Sequence, residues 1–128
     1  MEQKYPLQKL ILYGLLRKRI KIMSVEQTKI IDFIGVDKES GQVILSISDH
    51  LEWESNDEHL FLLQEKINSY LSFIESGEIN ESYPDALNRH AIIRVCAMHE
   101  PDKEGLSFLA EVKKIVEGAG FGFEFEQR

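Results

Sequence analysis

QVILSISDHLEWESNDEHLFLLQEKINSYLSFIESG, residues 42–77, decides the fold because its apolar rhythm changes partway along. From Gln42 to Ser48, Val43, Leu45 and Ile47 alternate with Ile44, Ser46 and Ser48. That is the period of a strand with one side facing a core. Further on, Leu60, Leu63, Ile67, Leu71 and Ile74 recur at spacings of three and four, the stripe of an amphipathic helix. Ser55-Asn56-Asp57-Glu58 fits the S-x-x-E box that satisfies the free backbone donors of a helix start. Gly77 is suited to stop the helix, since glycine tolerates the left-handed turn found there.

Upstream, Ile30–Asp37 is rich in β-branched and aromatic residues, and Lys38-Glu39-Ser40-Gly41 supplies a turn, so 30–48 reads as a β-hairpin. Downstream, Glu78–Arg89 reads as a loop punctuated by Pro84 and Asp85, and His90–Met98 as a third strand. Pro101-Asp102 opens a second helix with the stripe Leu106, Leu109, Val112 and Val116, flanked by Phe108 and Ile115 and ended by Gly118-Ala119-Gly120. Phe121–Glu126 has period two, with three aromatics on one face.

The order β-β-α-β-α-β predicts an α+β fold. Right-handed crossovers place both main helices on one face of a four-stranded sheet, giving a two-layer sandwich. An N-terminal helix is left open as an addition. The other sheet face is expected to show Ile30, Ile34, Val36, Ile44, Ile92, Cys96 and Met98. A face that apolar calls for a cover, since monomers rarely expose large apolar patches. Candidates are the N-terminal segment (through Leu10, Ile11, Leu15 and Leu16), a second copy of the chain, or another protein.

Charge divides the chain at Met23. Residues 1–22 hold six Lys/Arg and one acid, a net of +5, which leaves −12 for the 106 residues that follow. About 106 residues suit one domain with one core. The chain therefore reads as a basic apolar extension, 1–22, joined to a single acidic domain, 23–128. The apolar run Leu10–Leu16 is too short to span a bilayer, and no small-residue cleavage site follows it. It reads either as a short amphipathic helix or as translated upstream sequence, with the second preferred. A body at −12 repels a phosphate backbone, which disfavours nucleic acid as a partner. Cys96, the only cysteine, has no internal disulfide partner and lies in an apolar run, as a packed strand residue would.

Functional groups are densest between Ser48 and His59. His50 and His59 among five acids could supply metal ligands, but their spacing matches no standard zinc or HExxH pattern. Asp49 and His50, as neighbours on a strand, point to opposite faces and would not pair. No G-x-S-x-G occurs, and the glycines at 118–122 follow a helix rather than open one, the wrong order for cradling phosphate. Trp53 beside acids suits recognition of a basic surface.

Three stretches, MSVEQTKIIDFIGVDKESGQVILSISDHLEW, EHLFLLQEKINSYLSFIESGEI and YPDA, are similar to a small bacterial family catalogued only as a domain of unknown function. The resemblance runs from Met23 to Glu126 and implies a stand-alone cytoplasmic protein. It carries over no activity and no catalytic residues.

The expectation is a non-enzymatic, acidic module that docks a basic protein, with an immunity- or antitoxin-like inhibitor as one concrete form. Its binding residues would be Asp49, Glu52, Trp53, Glu54, Asp57 and Glu58, joined by Tyr83 and Asp85 if the loop folds back. A homodimer through the second sheet face is also expected, with no cofactor, no membrane and no nucleic acid. The alternative is a small metal-binding protein or enzyme using His50, His59 and neighbouring carboxylates.

Overall fold

A computed structural model describes residues 30–53 and 58–128. The elements are β1 (Phe33–Val36), β2 (Val43–Asp49), α1 (Glu58–Glu75), α2 (Glu78–Ser82), a 3-10 turn (Pro84–Ala86), β3 (Ala91–Ala97), α3 (Lys103–Gly118) and β4 (Gly122–Gln127). The β-β-α-β-α-β order of the main elements is that expected from the sequence. The N-terminal helix left open above, and residues 54–57 of the capping box, lie outside the described residues.

The hairpin forms around Asp37. Its carboxylate accepts from the Ser40 hydroxyl at 2.8 Å, and its carbonyl accepts from the Gly41 amide at 2.8 Å. The Ser40 hydroxyl and then the Glu39 amide hold the Asp37 carboxyl below the usual carboxylate range. Gly41 takes the left-handed φ of 75° that lets the chain enter β2.

The sheet order is β1-β2-β3-β4, with β1 antiparallel to β2 and the other two pairs parallel. Each parallel pair needs a crossover, and α1 and α3 supply them from the same side. Under the helices lie Val43, Leu45 and Ile47 of β2, Ile93 and Val95 of β3, and Phe123 of β4, all buried. From above come Leu60, Leu63, Ile67 and Leu71 of α1 with Phe108, Leu109, Val112 and Val116 of α3.

Several details differ from the sequence reading. Ile34 and Val36 pair with Leu45 and Val43, so they share the helix-covered face, and Phe33 and Gly35 take the open one. The β1 register sits one residue out of phase with the expected alternation, and a shift of one flips every side chain. Leu106 is 58% exposed. Asp102 caps α3 by accepting from the Gly105 amide at 2.7 Å, which sets the phase so that Gly105 faces inward and Leu106 falls about a quarter turn away. The segment after Gly77 is not all loop: Gly77, at φ 87°, ends α1 and the chain forms α2 around the buried Ile79. One buried side chain in five residues leaves little periodicity to read. Among the described residues no helix is long and apolar enough to cross a membrane.

Candidate functional site

Alternation along β2 carries the inward row Val43, Leu45, Ile47 one step further, to Asp49. A carboxylate at the end of a buried row costs several kcal/mol to desolvate unless it finds a partner (about 1–3 kcal/mol for a polar group, more for a charge). The partner is His59, in the first turn of α1. Its Nε2 lies 2.9 Å from Asp49 Oδ1 and 2.8 Å from Oδ2, with both side chains about 95% buried (5% and 4% exposed). Two carboxylate oxygens at that range place a proton on Nε2, which donates. Asp49 Oδ1 also accepts from the Leu51 amide at 3.2 Å, which starts the turn out of β2.

Trp53 closes this pair from outside. Its ring centroid is 4.3 Å from that of His59, at 52° between planes, and its edge meets Phe125 at 6.2 Å. The indole N–H donates to the His99 carbonyl at 3.0 Å. The ring lies so close to α3 that a Cβ on Gly105 would come within 2.5 Å of it. Glycine there is what lets the indole lie flat on the helix start. Asp49, His59, Trp53 and Gly105 thus join β2, α1 and α3 at the carboxyl ends of the parallel strands, where open α/β sheets commonly bind ligands.

A carboxylate-oriented imidazole is the arrangement of a general base or a metal ligand, provided that its second nitrogen can reach a reactant. His59 Nδ1 is buried and has no hydrogen-bond partner. With the Trp53 ring tilted against the imidazole, the pair acts as a joint between elements. Among the described residues no group of three or more His, Cys, Asp or Glu side chains could hold a metal ion. His50 is exposed whereas His59 is interior, so the structure gives the two histidines different environments.

The expected binding residues divide accordingly. Glu52 and Glu58 are exposed beside the joint. Glu54 and Asp57 lie outside the described residues. Asp49 is buried and occupied by His59, which corrects the expectation of an exposed carboxylate, and Trp53 is half-buried against the core. Tyr83 and Asp85 do not fold back to this turn. The Arg89 guanidinium donates to the Asp85 carbonyl at 2.7 Å and to the Gly41 carbonyl at 2.8 Å, which pins their segment to the hairpin turn. That is the far end of β2, about 20 Å from Asp49 for a seven-residue strand. The Asp49–His59 pair escaped the sequence reading because it spans a turn of ten residues. The signal that could have found it was the inward parity of Asp49.

No curated protein and no solved structure matches the chain. Residues 23–128 match the profile of a family of unknown function, DUF6572, and with more than half of its length matched the chain belongs to that family.

Proposed function

We propose that this domain is a non-catalytic docking module for a basic protein surface. The observation that carries the reading is the way its cations are used. The described residues hold eight Lys/Arg against eighteen Asp/Glu. Lys66 is tied to Asp32 at 2.8 Å, Arg94 to Glu124 at 2.9 Å, Lys113 to Glu117 at 2.8 Å and Arg128 to Glu126 at 3.1 Å. Arg89 is spent on backbone carbonyls. Lys38, Lys103 and Lys114 are exposed, but the surplus of ten acids among the described residues makes the outward field negative, with Glu52, Glu78, Glu81 and Asp85 among its exposed acids. Such a field speeds encounter with a basic partner and makes the on-rate fall with salt. Inhibition of a basic toxin, as an immunity- or antitoxin-like protein, is one form of this. Engagement of His59 by Asp49 weighs against the metal-binding alternative.

The test is capture of partners from the source organism on immobilised protein at low and high salt. A Glu52→Lys, Glu54→Lys, Asp57→Lys variant should lose a partner that the unaltered protein retains at low salt and releases at high salt. Retention that is unchanged by the three reversals would reject the site.

A further inference from the structure

The sheet face away from the helices differs in charge from the rest of the domain. Arg94 sits between Glu124 at 2.9 Å and Glu126 at 3.8 Å, and Glu126 also takes Arg128 at 3.1 Å. Two cations and two anions alternate across the β3–β4 half, and they sum to zero within a set of described residues at −10. The β1–β2 half, with Phe33, Gly35, Ile44, Ser46 and Ser48, carries no charge, and Phe33 projects from it 66% exposed. Beside Phe33 lies a depression of about 210 Å³, floored by Ser46, Ser48 and Cys96 and bounded by Arg128. None of the described elements covers these groups.

We infer that a second copy of this chain packs on this face, sheet against sheet, about a two-fold axis. Copies of an acidic protein repel one another at long range, and a surface whose charge cancels locally is where two can approach. An alternating Glu-Arg-Glu-Arg row is its own complement: a two-fold rotation can set each cation opposite an anion of the other copy. An exposed aromatic beside a depression supplies the apolar anchor that such interfaces centre on. Area limits the strength. Four strands about 4.8 Å apart and about 20 Å long present roughly 400 Å². That is half of the roughly 800 Å² per partner of a standard stable interface, so the dimer is weak and forms with rising concentration. The inference stands apart from docking of a basic partner, which uses the acidic surface.

Sedimentation velocity on the full chain from about 1 μM to about 1 mM tests it. Monomer–dimer exchange is expected within that range. Phe33→Lys should weaken it at least about tenfold, as loss of a central aromatic anchor does. The thermal midpoint should hold, since Phe33 is two-thirds exposed. A chain monomeric throughout would overturn the inference and leave the face to the N-terminal segment or to a different protein. A dimer equally tight in Phe33→Lys would overturn it by placing the interface elsewhere.

Discussion

Gln64 is fully buried in α1, and neither its Oε1 nor its Nε2 has a hydrogen-bond partner. An unpaired buried amide costs about 1–3 kcal/mol, which a leucine of similar size does not incur. Gln64→Leu should therefore raise stability by about 1 kcal/mol in urea unfolding, and a loss would show that the amide is satisfied in solution. The Asp49–His59 pair has the opposite sign. His59→Ala strands a buried carboxylate and should cost about 3–5 kcal/mol. Asp49→Asn keeps an oxygen that accepts from Nε2–H and should cost about half of that or less. Equal losses in the two variants would reject the charge as the source of the difference. The pairing of Asp49 with His59 was hidden from sequence reading for a simple reason. Periodicity assigns a residue to a face, and it cannot say which interior polar group meets another across a turn.

The first strand is held by its ladder and by three side chains, Asp32, Lys66 and Tyr70, that meet at its entrance. The Asp32 carboxylate accepts from the Ser48 amide at 2.9 Å and from Lys66 at 2.8 Å, and the Asp32 amide donates to the Tyr70 hydroxyl at 2.8 Å. Tyr70 in turn donates to the Ser46 carbonyl at 2.6 Å, so one phenol links α1 to β2 and to the approach of β1. Burial is the largest influence on that phenol and pushes its ionisation well above the ordinary tyrosine value near 10. A group that keeps its proton longer when folded stabilises fully below its unfolded value and loses this contribution as pH rises past it. Stability should accordingly decline above about pH 10, and less steeply in Tyr70→Phe. That variant should also cost about 1–3 kcal/mol at neutral pH, because two backbone groups lose their partner. Comparison of urea midpoints at pH 7 and above pH 10 checks both statements. The hairpin, α1, β3, α3 and β4 were legible because alternation or a long 3.6 period marks each of them. The β1 parity was not, since four residues in a uniformly apolar run fit either face.

Across the molecule, seven more acids than bases oppose compaction, while the ion pairs around Arg94 and Lys113 favour it. Exposed pairs are each worth about 0–1 kcal/mol, so the diffuse repulsion is the larger effect. Raising ionic strength from about 0.01 M to about 0.1 M shortens the screening length from about 30 Å to about 10 Å. The thermal midpoint should rise over that range, and a fall would mean that the local pairs prevail. The acidic character was readable from composition. What composition could not give was its distribution, because cancellation on the open sheet face depends on which strands become neighbours.

The indole at the joint is also the chain's sole tryptophan. It therefore serves as a built-in optical reporter of one place, where three elements meet, and not of an average over the domain. Excited selectively, its emission should shift to longer wavelength when that junction opens. If it does so at lower denaturant than the backbone circular dichroism changes, the carboxyl end of the sheet frays before the rest gives way.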